Sequence, residues 1–193
     1  MRNILSLLLL LILFPMGITV TYAQGNMPAH DQDFIGKNHE GGRIFWIDET
    51  GKHGLIAATV DQSQKGISWN PGPAVVTGAS GDIIYDGQKN TEKIIRVQGD
   101  HAQYAARLCK DFSITVNKIT YNDWYLPSRY ELNLLFRQRT IIGGFNTSNG
   151  IYWSSTETMK EQGSMAWEQE FRFGSQQEDD KDLPNQVRCI RKF

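Results

Sequence analysis

Cysteine is scarce in this chain. Cys109 and Cys189 are the only two, so one bridge is the most the sequence can close. Histidine is sparse as well, and His30, His39, His53 and His101 are scattered without the close spacing of a zinc site. Neither sign of charge dominates, with 20 Lys plus Arg against 21 Asp plus Glu, which argues against a nucleic-acid partner. No G-x-S-x-G marks a hydrolytic nucleophile, and Ser154-Ser155 reads as a hydroxyl pair ending a strand. There is no internal repeat and no low-complexity tract.

Long apolar runs are missing too, except at the start. MRNILSLLLLLILFPMGITVTYAQ carries one positive charge, an apolar stretch and the small-residue end Thr21-Tyr22-Ala23, the pattern of a secretory signal peptide over residues 1–23. The competing reading is an uncleaved anchor, since Leu5 to Val20 approaches the length of a span; Pro15 and Gly17 favour cleavage. No cysteine follows the run, which excludes lipid attachment there. Residues 24–36 read as a polar leader and 37–193 as one domain, with no membrane span after cleavage. Export makes a Cys109–Cys189 disulfide the first hypothesis, against two buried free thiols.

Within the domain, RIFWI (43–47) and GLIAA (54–58) flank DETGK, a turn in which Gly51 can take the left-handed conformation, so a hairpin is expected. From Asp61 to Gly87 the chain is dense in glycine and proline around Trp69 and should be a packed loop region. Asn90 and Thr91 can cap a helical stretch through Ile94 and Ile95. A second helix should place Ala102, Ala105, Ala106 and Cys109 on one face. Ser128 and Glu131 form the S-x-x-E capping box, and Leu132, Leu135 and Phe136 give the helix it starts an apolar face, ended by Gly143 and Gly144. IYWSS, AWEQEFRF and QVRCIRKF alternate like strands of an antiparallel sheet, and the acidic GSQQEDDKDLPN between the last two reads as an exposed loop.

The phrases IFWIDETGKHGLIAA, DGQKNT, AARLC, DWYLPSRYEL, YWSST, AW and VRCIR, in this order, resemble the domain at the C-terminus of the Legionella collagen-like adhesin, over residues 37–193. That family is similar to the C-type lectin-like superfamily. The resemblance implies an α+β fold with two helices packed on a small twisted antiparallel sheet, termini close together, and long loops used for ligands. It also implies a disulfide from the first helix, at Cys109, to the last strand, at Cys189. The related formylglycine-generating enzymes work through a cysteine pair, so a structural bridge here would leave a non-catalytic protein.

In DWYLPS, the alternation sends Trp124 and Leu126 into the core, with Pro127 leading into the helix. A glycan or surface-protein ligand is expected near the long loops, with Trp69 the leading contact and Ser68 and Asn70 as hydrogen-bonding neighbours. The alternative for Trp69 is a plug that holds the loop to the core. The adhesin's affinity for sulfated glycosaminoglycans directs attention to Arg188, Arg191 and Lys192, and to Arg137 and Arg139. No cofactor is required. Weak calcium ligands exist in Glu178, Asp179, Asp180 and Asp182, and Leu183-Pro184-Asn185 and Tyr121-Asn122-Asp123 are similar to lectin calcium-loop triplets. An adhesin-like recognition module and an assembly subunit of the cell surface are the two readings carried forward. The capping box yields a direct expectation: Ser128→Ala should lower stability by about 1 kcal/mol, read as a shift in denaturant midpoint.

Overall fold

The computed structural model describes residues 34–193; the expected signal peptide and most of the expected leader, up to residue 33, lie outside them. The chain opens with β1 (Asn38–His39), β2 (Gly42–Ile47), β3 (Gly54–Ala57) and β4 (Ser63–Ile67). Helices α1 (Asp86–Gln98) and α2 (Ala105–Asp111) follow, then a hairpin of β5 (Ile114–Val116) and β6 (Ile119–Tyr121). After α3 (Arg129–Arg137) and the single turn α4 (Arg139–Ile142) come β7 (Ile151–Glu157), β8 (Met165–Glu170), β9 (Gln176–Asp180), β10 (Asn185–Val187) and β11 (Ile190–Lys192). The class is α+β, as expected.

The early hairpin forms between β2 and β3, with Gly51 at φ 70° in its turn. One sheet has the order β1-β2-β3-β11 and the other β4-β10-β7-β8-β9. Three expectations are corrected here. The second sheet is mixed, because β10 runs parallel to β7, and QVRCIRKF is two strands in two different sheets. The chain switches sheets at Arg188 and Cys189, where Cys189 N–H donates to Gln62 and its carbonyl accepts from Ala58. The segment 174–186 is not a loop throughout, since Gln176 to Asp180 pair with β8 as an edge strand.

Helix α1 begins at Asp86, before the expected caps. Asn90 and Thr91 are buried within it and work sideways: the Asn90 amide bonds both backbone groups of Gly81, and the Thr91 hydroxyl accepts from Leu126 N–H. In α2, Ala105, Ala106 and Cys109 are buried, whereas Ala102 precedes the helix. The capping box is formed in full at α3, with Ser128 accepting from Glu131 N–H and Glu131 accepting from Ser128 N–H.

Cys109 and Cys189 are bonded, joining α2 to the sheet switch rather than to a strand. With a separation of 80 residues, the bridge removes about 4 kcal/mol of unfolded-chain entropy in the loop-closure picture. Around it the largest apolar cluster gathers Trp69, Trp124, Trp153, Tyr104 and Ile94. A second cluster holds Phe45, Leu55, Tyr125, Leu135 and Ile190. DWYLPS runs between the two, which is why Tyr125 is buried along with Trp124 and Leu126 despite the alternation. Phe34 and Ile35 also pack on the first cluster, so contacts with the core begin upstream of residue 37.

Two fully buried cations hold the loops. Lys181 Nζ donates to Glu157, Val75 O and Gly163 O and lies 4.4 Å from the Trp69 ring; Glu157 in turn accepts from the N–H groups of Thr77 and Gly78. Arg188 donates to Asp61 and to the carbonyls of Ala58, Gly143 and Gly144, with its guanidinium 3.9 Å from the Phe145 ring. Removing one partner of such a pair strands the other charge in the interior. Arg188→Met should therefore cost about 3 to 5 kcal/mol in chemical denaturation. Lys192→Met, at an exposed position, should stay within about 0.5 kcal/mol of wild type.

Candidate functional site

A recess of about 590 Å³ is bordered by Asp48, His53, Tyr85, Asp123, Lys192 and Phe193. Four separate parts of the chain meet there: the β2–β3 turn, the residue preceding α1, the first residue of DWYLPS, and the end of β11. Asp48 organises the turn, its Oδ1 accepting from Thr50 N–H at 3.1 Å, Thr50 Oγ1 at 2.7 Å and His53 N–H at 3.4 Å. The hydrogen bond from Thr50 holds the carboxyl below its ordinary range. Phe193 is fixed by a backbone pair with Gly54 and by an edge contact with the His39 ring at 4.7 Å.

Tyr85 is the unusual member. Its backbone is left-handed, at φ 69° and ψ 1°, a conformation that costs a residue with a side chain about 1 kcal/mol or more. Glu131 holds it there: one carboxylate oxygen accepts from Tyr85 N–H at 2.8 Å and from the Tyr125 hydroxyl at 3.3 Å. The other accepts from Ser128 N–H at 2.8 Å and Gly87 N–H at 3.2 Å. The close approach at Gly87 demands glycine, since a Cβ would sit 2.3 Å from that carboxylate. Burial pushes the Glu131 carboxyl up to about 7, against the pull of the backbone N–H groups. The Tyr85 ring packs edge-on to Trp46 at 5.9 Å.

The ionic groups at the rim divide into paired and free. Asp123 is gripped by Arg191, which donates from Nε at 2.7 Å and Nη2 at 3.0 Å and reaches Glu40 with Nη1. Burial opposes ionisation of Asp123, but Arg191 outweighs it and the carboxyl stays below its usual range. Lys192 is exposed and makes no ion pair among the described residues.

Of the residues the sequence singled out as ligand contacts, Lys192 alone lines this recess. Trp69 is wholly buried, its indole N–H donating to Ser154 O at 2.8 Å and its face covered by Lys181, which is the geometry of a plug and leaves no surface for a sugar. Ser68 donates to Asn70 O, and the Asn70 side chain is buried and turned to Gly72. Arg188 is interior, so it offers no charge to a sulfate. Arg191 is buried in its pairs. The calcium set does not converge: strand alternation puts Asp179 on the face opposite Glu178 and Asp180, and Glu178 is paired with Lys160 at 2.6 Å. Among the described residues no three His, Cys, Asp or Glu side chains are grouped to hold a metal. The two lectin-like triplets separate, Asp123 facing the large recess and Asn185 donating to Glu168 beside another of about 230 Å³. Recesses do occur where the long loops meet, near Asn70 with Asp182 and near Lys65 with Pro184, yet no aromatic side chain lines either.

Tyr85, Phe193, Asp48 and His53 escaped the sequence reading because nothing local marks a tyrosine for the left-handed region. The trace that existed was Gly87 close behind it in YDG.

The fold and recess define an α+β domain closed by one disulfide, with an aromatic-lined concavity at the edge of the first sheet. The chain belongs to the Lcl C-terminal domain family, which it matches over residues 58–191, and this bears out the resemblance to the C-terminal domain of the Legionella collagen-like adhesin. No curated protein matches the chain.

Glu131 makes stability depend on pH. Its folded pKa of about 7 lies above the ordinary 4.5, so the folded state binds the proton more tightly, and the contribution is fully present below pH 4.5 and lost as pH rises through 7. The loss amounts to about 3 kcal/mol. Denaturant midpoints measured across this window should fall with rising pH more steeply for wild type than for Glu131→Gln, which keeps the cap without the titration.

Proposed function

We propose that the protein is an exported, non-catalytic recognition module of C-type lectin-like fold, binding a glycan or protein ligand at the bacterial cell surface in the manner of an adhesin. The observation that carries this is the Tyr85–Phe193 recess, an aromatic-walled concavity with charged groups at its rim and one wall held in a strained backbone. Family membership supports the adhesin association, and the N-terminal signal pattern supports export. What favours a non-catalytic reading is that both sulfurs are consumed in the bridge, while Ser154 is buried and donates to Trp167 O. Binding is proposed to need neither cofactor nor nucleic acid.

The assembly-subunit reading would call for an open strand edge suited to pairing. The larger sheet has two edges: β9, whose Glu178, Asp179 and Asp180 deter such addition, and β4, whose irregular register with β10 and left-handed Gly66 break up a regular pairing edge. Recognition is therefore the reading placed first.

A combined glycan and surface-protein array, probed with the purified protein and with Tyr85→Ala, tests it. Features bound by wild type should weaken about tenfold or more in the variant, equivalent to about 1.4 kcal/mol. Equal signals from both proteins on every bound feature would remove the recess from consideration.

A further inference from the structure

The charges around the Tyr85–Phe193 recess restrict what it can hold. Asp48 spends Oδ1 on its own turn, which leaves Oδ2 as an acceptor on the recess lining. The Arg191 guanidinium is already shared between Asp123 and Glu40, so that triad carries one net negative charge and has no cation to spare. Lys192 is the remaining cation on the lining. Counted over side chains, Asp48, the Asp123–Arg191–Glu40 triad and Lys192 together carry one net negative charge. A sulfated chain needs several converging cations and would find one beside two uncompensated negative charges. An organic cation would in turn meet Lys192.

An uncharged body with hydroxyl groups suits the same walls. Tyr85 and Phe193 supply apolar ring surface, and the polar groups at the rim include an acceptor in Asp48 Oδ2, a donor in Lys192 Nζ, and groups able to do either in the Tyr85 hydroxyl and the His53 ring. Hydroxyls both donate and accept, so such a mixed rim can satisfy them in a way that a ligand of single charge cannot. The volume of about 590 Å³ lies within the ~300–1,000 Å³ typical of small-ligand sites. Tyr85 is also fixed in advance by Glu131, which lowers the ordering cost of binding.

We infer that this recess takes a neutral pyranose, with an apolar sugar face on Tyr85 or Phe193 and hydroxyls at Asp48 and Lys192, and that it does not take a polyanionic glycan. The inference rests on the reading of the recess as the binding site and adds the ligand class. Most of the lining lies beyond the span matched to the family: Asp48 and His53 precede residue 58, and Lys192 and Phe193 follow residue 191.

The test is a two-dimensional amide NMR titration of the purified protein with methyl α-glucopyranoside, methyl β-galactopyranoside and N-acetylglucosamine, and separately with a heparin tetrasaccharide. Each is run at about 50 mM and about 300 mM salt, conditions that separate screened from unscreened contacts. At least one neutral sugar should produce saturable shifts at Tyr85, His53 and Phe193, with a midpoint that changes less than about twofold between the two salts. Lys192→Gln, which keeps a hydrogen-bond donor but loses the charge, should raise that midpoint about threefold through the contact to the sugar hydroxyl, and Tyr85→Leu should raise it about tenfold. Heparin shifts at these residues that collapse at high salt and in Lys192→Gln, with none from the sugars, would overturn the neutral class and leave the recess as the binding site. Silence toward all four probes, together with array binding to protein features that Tyr85→Ala abolishes, would assign the recess to a protein ligand and also overturn the inference. Silence together with Tyr85→Ala leaving every array signal intact would remove both the inference and the site.

Discussion

The chain leaves one sheet and enters the other at Arg188 and Cys189, and the Arg188 guanidinium is what makes that crossing possible. It is fully buried, and its donors reach Asp61 beyond β3, the carbonyl of Ala58 at the end of β3, and the carbonyls of Gly143 and Gly144 after α4. Those carbonyls are loop and terminus groups with no sheet partner of their own, and a single planar cation satisfies them together. Asp61 is shared with the Tyr152 hydroxyl, which in turn accepts from Asn146 N–H, so the network extends from the first sheet into β7 of the second. Burial raises the Asp61 pKa despite the neighbouring guanidinium. The disulfide at Cys189 pins the adjacent residue to α2, so the sheet switch is held on one side by a covalent bond and on the other by charge.

A second buried cation does for the loops what Arg188 does for the sheets. All three protons of the Lys181 ammonium are used, on Glu157, Val75 O and Gly163 O, and Glu157 answers with the N–H groups of Thr77 and Gly78. In the glycine- and proline-rich stretch around residues 72–78, Val75 O and the N–H groups of Thr77 and Gly78 are therefore satisfied by side chains in place of a ladder, with Trp69 beneath the cation as its floor. Desolvation lowers the Lys181 pKa, and the pairing with Glu157 acts against it. Such a pair contributes less net stability than its Coulomb attraction suggests, but it leaves very few alternative loop arrangements able to bury both charges.

Glu131 connects this framework to the recess. As a capping-box residue it starts α3, and as an acceptor for Tyr85 and Gly87 it sets the head of α1 against that helix start. One buried carboxylate thus fixes two helix N-termini and the aromatic wall between them, where it also complements the positive ends of both helices. The site is for that reason a property of helix packing as much as of surface residues, and it stands opposite in character to the glycine-rich loops, whose aromatic residue turned inward.

The sequence by itself determined the elements whose signals are local. The Gly51 turn forms because a left-handed residue is required between two short apolar runs, and the α3 start forms because Ser128 and Glu131 satisfy each other's backbone within four residues. The sole pair of cysteines could bond only with each other, and the order of short phrases was enough to indicate the family. Decisions resting on long-range partners were not legible. Lys181 sits among acidic residues and reads as exposed until Glu157 and Trp69 are brought around it, and QVRCIRKF alternates like one strand until Arg188 finds three carbonyls in two other segments. Trp69 and Tyr85 show the same division for the site. Ring identity says only that each residue carries a large apolar surface, and whether that surface faces the core or an opening depends on which neighbours the tertiary fold places against it.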